Sequence, residues 1–327
     1  MTSRIVAALV LGLLFLGSVG PALAGSFDRL VIFGDSLSDP GNHFIAFGET
    51  SRAPFSPLPD FPYAIGGHHF SNGPTWIEQL TRALDMPASG KPALRAPGIF
   101  TNYAVGRARA RAGAPEFPFF DLSAQVQRFI ADFRGHAPSK ALYVIWIGAN
   151  DLDDALMTGL TDPAAAAVII EAAVTTVAAN IQALWAAGAR EFIVLNIPDP
   201  ALAPFVHALD PSVQAAATQT GQIFNAALDA ALAQVSALPA LQLDRFDVGA
   251  VFEHIVQTRP DGVENVTDSC LSFGVVVHPV CDHASHYLFW DGAHPTKAGH
   301  RLIGEAALRL FDDDEDDGRA DGHDRTR

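Results

Sequence analysis

Gly34-Asp35-Ser36-Leu37-Ser38-Asp39 and Asp291-Gly292-Ala293-His294-Pro295-Thr296 put a serine near one end of the 327-residue chain and an Asp-x-x-His near the other. A serine hydroxyl is a poor nucleophile until a base takes its proton during attack, and imidazole does this near neutral pH. A carboxylate on the other ring nitrogen fixes the tautomer and stabilises the imidazolium that forms. With Asp291 three residues before His294, one tight turn can deliver both partners. Ser36, Asp291 and His294 are therefore the candidate catalytic set. Each has a plainer reading, Ser36 as a helix N-cap and the Asp-x-x-His as a solvated loop before a capped helix. No Gly-x-Ser-x-Gly elbow surrounds Ser36 or occurs elsewhere.

A tetrahedral intermediate also needs donors for its negative oxygen. Asn102-Tyr103-Ala104-Val105-Gly106 ends in a glycine whose N–H can approach a substrate closely. Gly148-Ala149-Asn150-Asp151 supplies a side-chain amide. The Ser36 N–H, the Gly106 N–H and the Asn150 amide form the candidate oxyanion set. Gly106 as a turn glycine and Asn150 as a cap or loop residue are the structural alternatives.

Such groups need a rigid frame. Arg29 to Phe33, Ala141 to Ile147 and Glu191 to Leu195 are continuous apolar runs, and Ala240 to Phe246 is a weaker one. Continuous hydrophobicity suits strands covered on both faces, as in a parallel sheet. Helical patterns fall between and after them, over Pro163 to Ala187 with Gly188 as a stop, Ser212 to Ala237, and Thr296 to Phe311. The alternation predicts an α/β sandwich with a doubly wound parallel sheet, in which ligands bind beyond the C-terminal ends of strands. Ser36 follows the first strand and Asn150 the strongest one. Glu49 to Ile99 is rich in Pro, Gly and aromatics, with one short helical pattern around Thr75 to Leu84. It reads as elaborated loops whose Phe55, Phe61, Tyr63, Phe70 and Trp76 either line an acyl site or pack a second layer of core. Phe70 and Trp76 are the candidate substrate contacts among them.

The ordered blocks Gly-Asp-Ser-Leu-Ser, Asn-Tyr-Ala-Val-Gly, Gly-Ala-Asn-Asp and Asp-Gly-Ala-His-Pro-Thr resemble those of the GDSL, or SGNH, hydrolase family. Phe70 to Trp76 and Tyr287 to Trp290 resemble its phospholipase/lecithinase/haemolysin-like branch. The resemblance spans roughly Phe27 to Phe311. It implies a three-layer α/β/α sandwich with a flavodoxin-like sheet, acyl transfer through Ser36, and no metal or organic cofactor. The named residues of that family match Ser36, Gly106, Asn150 and His294, with Asp291 as the acid partner. One departure stands out: Arg107 occupies a position that is glycine in many relatives. Arg107, in Arg107-Ala108-Arg109-Ala110-Arg111, either holds an anionic substrate group or is ordinary exposed loop charge.

Composition bounds the rest. Residues 1–24 read as a signal peptide, with Arg4 before an apolar run from Ile5 to Leu16 and an Ala-x-Ala end at Ala24. That leaves a hydrolase domain over 25–311, and no later run reads as a transmembrane helix. Residues 312–327 open with six consecutive acidic residues and read as a disordered tail. A net charge of −15 argues against a nucleic-acid partner. Two cysteines in an exported chain, Cys270 and Cys281, favour a disulfide. A metal is the rival reading, because His278, His283 and His286 crowd the same stretch, but the spacing matches no zinc pattern. The expected activity is ester hydrolysis on lipid or short-acyl esters, with transient lipid-surface contact and no obligate protein partner. A carbohydrate O-deacetylase and a secreted binding protein without catalysis are the alternatives.

Overall fold

The computed structural model describes residues 27–48, 55, 68–112 and 120–312. The signal-peptide reading and the tail beyond Asp312 lie outside these residues, as do Phe61 and Tyr63.

In chain order the elements are β1 (Arg29–Gly34), α1 (Asn42–Phe47), α2 (Trp76–Ala83), α3 (Leu122–Asp132), β2 (Ala141–Trp146), α4 (Ala149–Gly159) and α5 (Pro163–Ala187). There follow β3 (Glu191–Leu195), α6 (Pro204–His207), α7 (Pro211–Val235), β4 (Gln242–Phe246), α8 (Val248–Thr258), β5 (Asn265–Ser269), β6 (Tyr287–Phe289) and α9 (Lys297–Asp312). β1 to β4 form a parallel sheet in that order. A fifth position lies beyond β1, where Ile32 bridges Asn102 in parallel through Ile32 N to Thr101 O at 2.9 Å and Tyr103 N to Ile32 O at 2.8 Å. The 101–103 segment comes second in the chain and first in space, so strand order reverses at β1. That reversal is the switch point at which open α/β sheets build their sites.

β1 and β2 are buried almost throughout, as their unbroken apolar runs require, whereas β4 is half exposed at the sheet edge with Gln242 and Arg245 turned to solvent. Its position explains the weak apolar signal of Ala240 to Phe246. One helix layer contains α3, α4, α5 and α7, and the other α2, α8 and α9. Together they give the three-layer α/β/α sandwich. α5 is capped by the Asp162 side chain, which accepts from Ala165 N at 3.0 Å, and ends at Gly188 with φ 117°. Among the described residues α5 is long and apolar enough by composition to cross a bilayer, a property missed in the sequence because alanine carries much of it. It packs against α3, α4 and α7 as part of the sandwich.

A small second sheet pairs β5 with β6 beside Cys270 and Cys281, which are disulfide-bonded. Its own apolar cluster, Phe55, Cys270, Leu271 and Trp290, is separate from the main core.

Candidate active site

β1 ends at Gly34, where a Cβ would come 2.5 Å from the Trp146 carbonyl oxygen, so only glycine allows the two strands to stay close there. The chain then turns sharply: Asp35 Oδ1 accepts from Leu37 N at 3.0 Å, and Asp35 O accepts from Ser38 N at 3.1 Å. Ser36 sits at the top of this turn, nearly buried. Asn102 Nδ2 holds Ser38 O at 2.8 Å, and Trp76 Nε1 holds Ser38 Oγ at 3.0 Å. Asp39 Oδ1 accepts from Gly41 N and Asn42 N at 2.8 and 2.6 Å, starting α1 immediately behind the serine.

The other partners arrive from β6. Asp291 Oδ1 accepts from Ala293 N at 2.9 Å and His294 N at 2.7 Å, folding Asp291 to His294 into one turn. Trp290 N donates to His294 O at 2.7 Å, and the Thr296 hydroxyl accepts from Gly299 N at 3.0 Å to start α9. His294 Nδ1 lies 2.8 Å from Asp291 Oδ2 and Nε2 lies 2.8 Å from Ser36 Oγ. These contacts are satisfied together by an Nδ1–H donating to Asp291 and a Ser36 hydroxyl donating to Nε2.

Burial pushes the Asp291 carboxyl up, but the charge and hydrogen bond of His294, with two backbone N–H groups, outweigh it and leave the group below its ordinary value. Burial pulls His294 down, and the Asp291 charge and hydrogen bond, then Asp35, outweigh that and leave the imidazole above its ordinary value. The sequence reading passed over Asp35. It is 1% exposed, and its Oδ2 has no hydrogen-bond partner among the described residues. Burial carries it up to about 7, opposed by Leu37 N–H and His294. Only its place beside Ser36 hinted at this in the sequence.

The other expected residues divide. Asn150 lies in the first turn of α4, and its Nδ2 donates to Ala108 O at 2.9 Å. A primary amide keeps a second N–H. Gly106 does not offer its N–H to the site as expected, because that group donates to buried Asp39 Oδ2 at 2.7 Å. The glycine is needed for packing instead: a Cβ there would fall 2.1 Å from Phe70 Cε2. Phe70 is itself buried, its centroid 5.4 Å from the rings of both His294 and His43, so it props the histidine from behind. Trp76 likewise does not line the site. It is 1% exposed, T-shaped against Trp146, and part of the core.

Arg107 is exposed with φ 68°, the left-handed conformation that favours the glycine it replaces. The rest of the arginine run is not ordinary loop charge. Arg109 forks onto both Asp154 oxygens at 2.5 and 2.9 Å, and Arg111 also reaches Asp154. Asp151 accepts from Ala110 N at 2.7 Å, so 108–111 is clamped to the start of α4. No group of three or more metal-ligating side chains occurs among the described residues.

Beside the serine lies an apolar cleft of about 120 Å³. Leu37, Ala149 and Ala293, each adjacent in sequence to Ser36, Asn150 or His294, line it. Leu152 and Leu156 of α4, Ile197, Phe205 and Val206 continue the wall, and Phe205 N donates to Gly292 O at 3.0 Å. Among the described residues, none that lines it belongs to the 49–99 stretch read as a possible acyl site.

The GDSL-like Lipase/Acylhydrolase family model matches residues 30–307. Thermolabile hemolysin of Vibrio parahaemolyticus is 26% identical over 302 residues, covering 86% of this chain and 63% of that protein. The chain is also 27% identical over 337 residues to phosphatidylcholine-sterol acyltransferase of Aeromonas hydrophila, covering 88% and 91%. The Inactive GDSL esterase/lipase-like protein 25 of Arabidopsis thaliana is 24% identical over 298 residues, covering 84% and 69%. With its model matched over most of the length, the chain belongs to the GDSL-like lipase/acylhydrolase family of ester-hydrolysing enzymes.

Proposed function

We propose that this protein is a secreted serine hydrolase of lipid or other fatty-acyl esters, with Ser36 as nucleophile, His294 as general acid–base and Asp291 as its orienting carboxylate. The observation that carries the reading is the continuous contact from Ser36 Oγ through His294 to Asp291, 2.8 Å at each step. Ser36 Oγ attacks the ester carbonyl carbon while its proton passes to Nε2 of His294. Asp291 stabilises the resulting imidazolium. The Ser36 N–H and the Asn150 amide donate to the oxyanion; Gly106 is left out because Asp39 holds its N–H. Collapse breaks the ester C–O bond, and Nε2 protonates the departing alcohol. A water deprotonated by Nε2 then attacks the acyl carbon, and collapse breaks its bond to Ser36 Oγ, which takes the proton back from Nε2 as the carboxylic acid leaves.

The cleft supports an alkyl acyl group. It starts beside the nucleophile and is walled mainly by leucine, isoleucine, valine and phenylalanine, which withdraw a hydrocarbon chain from water but offer a sugar few hydrogen bonds. The Aeromonas relative, named for acyl transfer from phosphatidylcholine to sterol, agrees with a lipid ester as substrate. The apolar run of residues 1–24 and the disulfide fit export to an oxidising compartment.

The test is hydrolysis of p-nitrophenyl esters of graded chain length by the mature protein and its Ser36→Ala variant. We expect turnover to fall by about 10⁴-fold or more, on the order seen for loss of a triad nucleophile. A variant as active as the wild type removes Ser36 from the chemistry. A folded wild type inactive on p-nitrophenyl esters, phospholipids and acetylated sugars alike would leave the reading of a secreted binding protein without catalysis.

A further inference from the structure

Leu271 to Val280 forms a hairpin that the catalytic reading does not use. Its base is a short antiparallel ladder, with Ser272 N to Pro279 O and Cys281 N to Cys270 O both at 2.8 Å, and the disulfide joins its two ends. Below the ladder, Cys270 and Leu271 are buried with Phe55 and Trp290. Above it the chain is exposed from Ser272 to His278.

The composition of that tip is unusual for a surface. Phe273, Val275, Val276 and Val277 are 36, 39, 65 and 73% exposed, a third of the exposed large apolar side chains among the described residues, gathered in five positions. The tip contains no acidic or lysine or arginine side chain, although the whole chain carries a net charge of −15. Three adjacent valines in water are explained neither by local packing nor by the hairpin turn, which needs only Gly274 and His278 at positive φ.

The tip is also fixed to the catalytic strand. Cys270 N donates to Phe289 O at 3.1 Å and Leu271 N to Trp290 O at 2.6 Å, and Trp290 directly precedes Asp291. The staple and the small core beneath it hold the tip in a set relation to the Asp291–His294 turn.

We propose that the Phe273–Val277 tip is an interfacial anchor that inserts into the surface of a zwitterionic lipid aggregate and holds the catalytic turn against it. A convex apolar finger cannot enclose a small ligand. Its lack of hydrogen-bonding side chains suits hydrocarbon better than the polar rim of a protein partner. The acidic remainder of the chain opposes anionic lipid, so the attachment is hydrophobic, little changed by salt, and no stronger on anionic than on neutral vesicles. The inference rests on the lipid-ester reading proposed above.

The experiment is flotation with phosphatidylcholine vesicles, using full-chain Ser36→Ala protein so that binding is read without turnover. The companion variant adds Val275→Ser, Val276→Ser and Val277→Ser. Withdrawing one valine from water is worth about tenfold in partitioning, so the triple change should weaken binding by at least about tenfold. In the wild-type background the same triple change should leave turnover of soluble p-nitrophenyl acetate intact while vesicle hydrolysis falls. Val276→Trp, an apolar replacement at an exposed position, should bind at least as well as the parent, and the introduced indole should show a blue-shifted emission with vesicles. Equal flotation of parent and triple variant, or an emission from the introduced indole that lipid does not move, overturns the proposal. So does a parent that is dimeric by light scattering and does not float, with a triple variant that is monomeric.

Discussion

Asp291 and His294 perturb each other in opposite directions, and the consequences for catalysis can be read from those signs. In the proposed mechanism His294 must be neutral to accept the Ser36 proton, and the Asp291 charge holds it above its ordinary value. Activity should therefore rise with pH through a midpoint above about 6.5, the unperturbed value, as read from kcat/KM on a soluble ester. Asp291→Asn removes the charge while keeping a hydrogen-bonding side chain, and the imidazole loses both its tautomer and its counter-charge. We expect kcat to fall by about 10⁴ with KM little changed, and the remaining activity to show its midpoint at lower pH. An unaltered midpoint in that variant would mean that the contact does not set the charge state of His294. The pair also contributes to stability. The Asp291 part is lost as pH falls below the ordinary carboxylate value, and the His294 part as pH rises through its raised value.

At the scale of elements, α4 connects Asn150, the proposed oxyanion donor, to the cleft. Leu152 and Leu156 line the cleft wall, and Leu156 is six residues past Asn150, about 9 Å along the helix. A side chain enlarged there narrows the far part of the cleft and spares the serine. Leu156→Phe should lower turnover of octanoate and longer esters about tenfold relative to acetate, since a methylene misfit in an apolar pocket costs at least that much. Leu156→Ala should shift preference toward longer chains. A chain-length profile unchanged in both variants would remove the acyl chain from this cleft. The sheet was readable in the sequence because β1, β2 and β3 are short apolar runs, and the Asp291–His294 turn because its two residues are local to one another. The cleft was not readable, since it joins α4 to residues 197–206 and Ala293, which only tertiary packing brings together. The same limit applies to Trp76 and Gly106. An aromatic in a loop-rich stretch looks alike whether it faces substrate or core, and a glycine's spacing does not show that Asp39 takes its N–H.

Over the whole molecule, the buried titratable groups point to an optimum of stability on the acid side of neutrality. Burial raises Asp35 to about 7, Asp39 in the same direction, and Asp151 to about 6. A carboxyl raised in the folded state binds protons that the unfolded chain has already released, so stability falls as pH climbs from about 4 through the folded value. A shift from 3.8 to about 7 at Asp35 corresponds to about 4 kcal/mol lost by about pH 8. The net charge of −15 acts in the same direction, because acidification relieves repulsion within the compact state. His300 on α9 sets the opposing limit. It is fully buried with neither ring nitrogen hydrogen-bonded among the described residues, and burial pulls it down to about 3. The unfolded chain protonates this histidine from about pH 6.5 downward while the folded one does not, so its contribution is lost on acidification. Three raised carboxyls against one lowered histidine leave Tm higher near about pH 5.5 than at about pH 8. Asp35→Asn keeps an acceptor for Leu37 N–H and removes a carboxyl raised by more than that of Asp151, so the fall in Tm across that range should shrink. Thermal melts at both ends of the range test both steps. A wild-type Tm that rises on the alkaline side would mean the aspartates are solvated in the folded protein, and an Asp35→Asn curve parallel to the wild type would clear Asp35 alone.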